Sequence, residues 1–298
     1  MKTYIYALTL LISLVSCTKE VVLKDIQNAT PRLVVEANIN WNKNNDEASK
    51  TQFIKLTTST SYYSQKYPIV TNATVSITNS DKVSMGTFVY DATQKLYVAT
   101  DFKKPIVGEN YILKIELNGQ VYTANDEYTS IVTPNSIKQG LNKDIDPDLG
   151  VIQVDINIDN EIDVDNYYLF KIEPPKNVSV LPEYSNADDT LISEESGKNN
   201  YDFTYIDSDL SAYDLLKITT YGISKRYNNY LNKITLTAEG GSSGPFSTAP
   251  ATLRGNILNT NNEENRAFGF FSINQFTYTE YSIKEKSDKI IVTPYKPM

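Results

Sequence analysis

One thiol, no imidazole and many carboxylates define the chemistry open to this chain of 298 residues. The absence of histidine removes Ser-His-Asp and Cys-His nucleophilic catalysis, imidazole metal sites and imidazole pH switches. Cys17 is the single cysteine, so disulfides, thiolate zinc clusters and redox pairs go as well. Cys17 follows Leu14-Val15-Ser16, and residues 4–15 are uncharged and mostly apolar, with Lys2 as a positive leader. That stretch falls short of the ~20 apolar residues a spanning helix needs, and it reads as a secretory signal. The Leu-Val-Ser-Cys run looks like a bacterial lipobox. In such signals the thiol is diacylated, the signal is removed, and the new amino group is acylated. Cys17 is therefore the expected lipidation site. At ~0.8 kcal/mol per buried CH₂, two or three chains make a lasting anchor. The plain alternative is an ordinary signal peptide that happens to end at a cysteine.

The carboxylates offer two clusters. Asp144, Asp146 and Asp148 alternate just before Gly150, a spacing that can converge on calcium. The glycine comes one place late for a calcium loop, and Asp155 stands where a glutamate belongs, so a solvated acidic linker competes with the metal reading. Asp159, Glu161, Asp163 and Asp165 form the second run. A retaining glycosidase needs two carboxyls about 5 Å apart, but with 36 acidic residues a pair is easy to nominate and proves nothing. No enzymatic activity and no cofactor is expected.

Among 22 tyrosines, Tyr62, Tyr63 and Tyr67 cluster in a stretch that reads as a loop, where they could form a stacking platform for a glycan or peptide. The plain reading of any one tyrosine is a half-buried strand residue. Trp41, between Asn40 and Asn42, reads as part of a polar loop. Asp189-Thr190-Leu191 matches the short O-glycosylation motif used in Bacteroidota periplasms, with Thr190 as acceptor. The formal net charge is −8 and there is no basic run, which argues against nucleic acid as a partner. An acidic surface is not drawn to anionic headgroups either, so the lipid would have to do the anchoring.

The elements that must position these groups are mainly strands. Period-2 alternation marks residues 33–39, 53–57, 73–77, 87–90, 95–98, 111–117 and 120–124. Asn118-Gly119 between the last two is a strong hairpin signal, because both residues tolerate positive φ. About seven short strands in about 100 residues fit an Ig-like or transthyretin-like β-sandwich. Thr133-Pro134-Asn135 marks a boundary, followed by a polar, acidic stretch to Gly150. Beyond it, residues 152–158, 167–172, 201–206, 215–221, 252–258, 267–273, 276–283 and 289–292 read as strands. Residues 176–200 read as a surface loop. Ser224 is a plausible N-cap for one helix over 224–238, with Tyr227, Tyr230, Leu231, Ile234 and Ala238 on one face. The expected organisation is an all-β protein: signal 1–16, lipidated tether 17–30, N-terminal sandwich 31–133, and a second mainly-β domain 134–298 carrying the helix.

Several segments in order carry a family resemblance: Leu33-Val34-Val35-Glu36 after the lipobox, Gly108-Glu109-Asn110-Tyr111-Ile112-Leu113 with Tyr122-Thr123-Ala124, Asn166-Tyr167-Tyr168-Leu169-Phe170, Ser224 to Leu231, Gly244-Pro245-Phe246, Arg254-Gly255-Asn256-Ile257 and Ala267-Phe268-Gly269-Phe270-Phe271. This order resembles the Bacteroidota outer-membrane lipoproteins grouped as domain-of-unknown-function 4249. Ala37 departs from it, where a glycine is expected, as does the charged stretch from Asn261 to Arg266. The resemblance implies a lipid anchor at the outer membrane and a gene beside a TonB-dependent transporter, and it brings no catalytic residues. Lys19-Glu20 behind the thiol is similar to the export signals that carry such lipoproteins to the cell surface, or is simply two solvated charges. The expected function is a non-catalytic accessory or capture subunit of a TonB-dependent nutrient uptake system, with membrane lipid and a transporter as partners. A stand-alone glycan- or peptide-binding surface module is the alternative class, and a carboxylate-based hydrolase the third.

Overall fold

The computed structural model describes residues 30–60, 64, 66–148, 150–159, 165–188, 200–238 and 253–298. The protein is all-β, with one α-helix among the described residues. Alternation sets the sheets. In β6 (Asn110–Leu117), Tyr111, Leu113 and Ile115 point inward while Lys114 and Glu116 face solvent. Asn118 and Gly119, at φ +50° and +77°, turn the chain into β7 (Gln120–Glu127). These strands join β3 (Thr74–Asn79), β4 (Ser84–Asp91), β5 (Leu96–Ala99), β2 (Gln52–Thr58) and β1 (Leu33–Asn42) in a continuous ladder. The ladder curls around a first core that includes Ile39, Trp41, Ile54, Ile77, Phe102 and Leu113.

The chain then builds β8 (Ser136–Asn142), β9 (Val151–Asp159), β10 (Tyr167–Glu173), β11 (Glu183–Asp188), β12 (Asn200–Ile206) and β13 (Leu215–Gly222). After the helix come β14 (Leu258–Asn259), β15 (Phe268–Ser282) and β16 (Ile291–Pro294). The large sheet runs β11-β10-β13-β15-β1-β2-β5-β4-β3-β6-β7-β14, and the small one β12-β9-β8-β16. Across the gap between them Phe170 of β10 stacks on Phe203 of β12, ring centroids 4.2 Å apart, within a second core that includes Ile156, Ile158, Leu216, Ile218 and Tyr281.

β15 belongs to both cores. Its first part runs parallel to β1, from Val34↔Phe268 to Asn42↔Phe276. Its second part runs antiparallel to β13, from Gly222↔Gln275 to Leu215↔Ser282. Phe271 and Ile273 fill the first core and Tyr281 the second. The start of β15 requires glycine. Gly269 sits at φ +94°, and a Cβ there would lie 1.9 Å from the Val35 carbonyl oxygen. A Cβ on Gly255 would lie 1.5 Å from the Gly269 carbonyl oxygen. Ala37, where the family pattern suggests glycine, is fully buried and lends its methyl to the first core.

The helix, α1 (Lys225–Ala238), begins after Ser224, whose hydroxyl accepts the Tyr227 N–H at 3.1 Å. Tyr227 and Tyr230 clamp Phe270 at 4.9 and 4.8 Å between centroids. Leu231 packs with them, while Ile234 is half-buried and Ala238 exposed, so the apolar face ends a turn early.

Five local expectations change. Trp41 lies in β1, not in a loop. It is 1% exposed, and its indole N–H donates to Asp46 Oδ1 at 2.8 Å. Residues 136–142 form β8 rather than a linker, and residues 183–188 form an edge strand within the expected loop. The two last aromatic strands are one fifteen-residue strand, and the strand expected at 252–258 reduces to two residues among those described.

Candidate ligand-binding cleft

The outer face of the large sheet carries an amide ladder. On β1, Glu36, Asn38, Asn40 and Asn42 alternate with the buried Ala37, Ile39 and Trp41. The parallel register sets Asn38 beside Ser272 and Asn40 beside Asn274. The Ser272 hydroxyl donates to Asn38 Oδ1 at 2.9 Å. Asn274 Nδ2 donates to Asn40 Oδ1 and to Ser272 Oγ, each at 3.0 Å. Such coupling fixes which way each amide points, so the remaining donors are presented rather than free to rotate.

The face continues onto β13 and β10. Register pairs Phe276 with Tyr221, Tyr278 with Thr219, and Lys171 with Thr219. Tyr221 and Phe276 meet at 5.5 Å. The Lys217 ammonium sits 4.9 Å from the centre of the Tyr278 ring and 4.0 Å from Glu173 Oε2, while Lys171 bonds Glu173 Oε1 at 2.9 Å. Burial pushes the Tyr221 phenol up from its ordinary pKa, so it remains a neutral hydroxyl across the physiological range.

The opposite wall is the short 3₁₀ turn at Glu47–Ser49 and the start of β2. It is tied to the ladder by buried bonds. Gln52 Nε2 donates to the carbonyls of Asn40 (2.8 Å) and Ser49 (2.7 Å), and the Asn42 N–H donates to Ser49 Oγ at 2.7 Å. Asp46 behind the wall accepts from Trp41 and pairs with Lys104 at 2.9 Å. The Lys104 bond and then the indole bond hold the Asp46 carboxyl below the usual carboxylate pKa.

Between the walls lies an open cleft of about 370 Å³, at the small end of ligand sites. Amides, two ammonium groups, one carboxylate and the aromatic edges of Phe53, Tyr221, Phe276 and Tyr278 line it. That set suits a hydroxyl-rich or amide-rich ligand. Glu173 is the single carboxylate among the described residues lining the cleft, so the two-carboxylate geometry of a glycosidase is not formed there.

The sequence-expected site residues fall elsewhere. Tyr67 is 66% exposed, close before the Ile69–Thr57 bridge, and does not line the cleft. Tyr62, Tyr63, Cys17 and Thr190 lie outside the described residues. Asp144, Asp146 and Asp148 sit in a turn after β8, where Asn142 Oδ1 accepts the N–H of Asp144 and Asp146 Oδ1 that of Asp148. Among the described residues no three acidic, cysteine or histidine side chains gather as a metal group. Sequence reasoning missed the cleft residues, although Asn38, Asn40 and Asn42 at period 2 between apolar residues were a readable sign of one polar strand face.

Fold and cleft define an all-β protein with an open, polar, aromatic-edged site on the larger of its two described sheets. Residues 18–280 match the sequence model of the family described as Domain of unknown function (DUF4249). The chain belongs to that family. No curated protein matches the sequence. Among solved structures, the crystal structure of a mutant Salmonella alpha-2-macroglobulin is similar at 7% identity and a TM-score of 0.24, over 87% of this chain and 18% of that one. A likeness that distant carries no argument.

Proposed function

We propose that this protein is a non-catalytic capture subunit, lipid-anchored through Cys17 at the bacterial outer membrane, serving a TonB-dependent uptake system. The cleft over β1, β15, β13 and β10 is its ligand seat, and the observation that carries the reading is the cleft's lining. Coupled amides, a Lys–Glu–Lys group and tyrosine edges recognise hydroxyls and amides while leaving any bond in the ligand intact. The lipobox supports the anchor, and the family resemblance supports the transporter partner and the surface face. Among the described residues no helix is long and apolar enough to cross a membrane.

Two measurements test this. Glycan-array or calorimetric binding by the full-length protein in neutral detergent should be found, and should weaken about tenfold in Asn38→Ala or Tyr278→Ala. Pull-down of native protein should recover a β-barrel transporter. Binding without a transporter would favour the stand-alone module, whose ligand seat is the same cleft. Turnover of any glycan or peptide by the purified protein would overturn the non-catalytic reading.

A further inference from the structure

Arginine is scarce here. The chain contains four, Arg32, Arg226, Arg254 and Arg266, and lysine supplies every other cationic side chain. Although spread over most of the sequence, all four line two adjoining grooves that share Arg254 and Gly255. One groove, about 410 Å³, holds Arg32, Arg254 and Arg266. The other, about 490 Å³, holds Arg226, Arg254 and Lys233.

The nine ion pairs among the described residues all use lysine. Three of the four arginines are oriented by neutral partners instead. Arg226 Nη1 donates to the Asn125 backbone oxygen at 3.0 Å and to its Oδ1 at 2.8 Å. Arg266 Nε donates to the Glu263 carbonyl at 3.0 Å. The Arg32 guanidinium lies 5.7 Å from the centre of the Phe268 ring. Two exposed carboxylates, Glu263 and Glu264, also line the first groove. The count is five cations to two anions, on a chain whose formal charge is −8.

We propose that the two grooves form one oxyanion site for a phosphate-bearing ligand, either a membrane headgroup or a free polyphosphate. Guanidinium is the side chain whose fork matches phosphate bidentately. One carboxylate is satisfied by one such fork, whereas convergent arginines suit the several oxygens and higher charge of phosphate. Holding Arg32, Arg226 and Arg266 by carbonyls and a ring, rather than in ion pairs, fixes their direction and leaves their guanidinium groups outside any salt bridge. Arg32 immediately precedes β1, so the site lies where the chain arriving from Cys17 enters the fold, within reach of a membrane surface. The site is separate from the cleft; its headgroup source rests on the Cys17 anchor proposed above, and pyrophosphate binding does not.

The test titrates full-length protein in uncharged detergent micelles with pyrophosphate by calorimetry, with phosphatidylglycerol or phosphatidylcholine added to the micelles. Pyrophosphate should bind, bind less well as salt rises, and weaken about tenfold or more in an Arg254→Ala/Arg266→Ala double variant. Glu263→Gln/Glu264→Gln should tighten it. Competition by phosphatidylglycerol but not phosphatidylcholine identifies a headgroup. Retained pyrophosphate binding without competition identifies a free ligand. The proposal is overturned if neither pyrophosphate nor phosphatidylglycerol is bound, if the folded double variant binds as well as the parent, or if Lys103→Ala, away from both grooves, weakens binding equally.

Discussion

Asp126 is costly to keep charged. It lies on β7 at 3% exposure, its Oδ1 accepts the Ser224 hydroxyl at 2.7 Å, and its Oδ2 has no hydrogen-bond partner among the described residues. Burial pushes its carboxyl up to about 6, against the pull of Ser224, nearby backbone N–H groups and Arg226. An acid raised in the folded state holds a proton that the unfolded chain has already released. Stability therefore rises as pH falls from above 6 toward 4, and is lost again as pH climbs through the folded pKa. The window is roughly two pKa units, or about 3 kcal/mol. Asp126→Asn should raise the urea midpoint at pH 7.5, and the gap from the parent should narrow to about a third by pH 4.5. A gap of equal size at both pH values would show that the carboxylate is not the cause. Trp41 shows what is hard to read at this scale. Its neighbours Asn40 and Asn42 look like loop residues, yet they form the polar face of a strand, held by Ser49, Gln52 and Asn274.

At the scale of elements, the join between β1 and β15 is a close backbone approach that leaves no room for a side chain. Gly269→Ala would set a methyl against the Val35 carbonyl at a backbone angle unfavourable to any Cβ, at an expected loss of about 3 kcal/mol or more. Gly108→Ala shares the positive φ, +83°, but meets nothing within 4 Å, so it should cost only about 1 kcal/mol. Denaturant unfolding of the two variants separates steric from conformational cost, and equal losses would contradict the close approach. Elements with strong local signals were legible. The β6–β7 hairpin has clean alternation and Asn118-Gly119, and α1 has Ser224 and its tyrosine stripe. β8 was hidden because Gln139 takes an inward place, where it is satisfied by the Tyr281 hydroxyl and the Lys284 N–H. β11 was hidden because it is an edge strand with Ala187 as its single buried residue. The cleft was illegible for a different reason. Its residues come from 38–53, 171–173, 217–221 and 276–278, and only the register of β15 against β1 and β13 brings them together. The four arginines were scattered in the same way, so charge patterning along the chain showed no basic run.

For the whole molecule the decisive question is attachment. Cys17→Ser should abolish incorporation of labelled palmitate and release the protein from the membrane pellet. If the parent takes up no label and the variant still sediments, the anchor is wrong and the capture proposal loses its location. The binding measurements on the cleft and on the arginine grooves are independent of that outcome, because both are made on purified protein.

The shared strand β15 has one more consequence. The first core waits for Phe271 and Ile273, residues that leave the ribosome long after β1. Contacts so far apart in sequence form slowly, so this core is completed only once the C-terminal part of the chain has been made. Under the export route proposed above, such late contacts would leave the chain open for passage through a secretion pore.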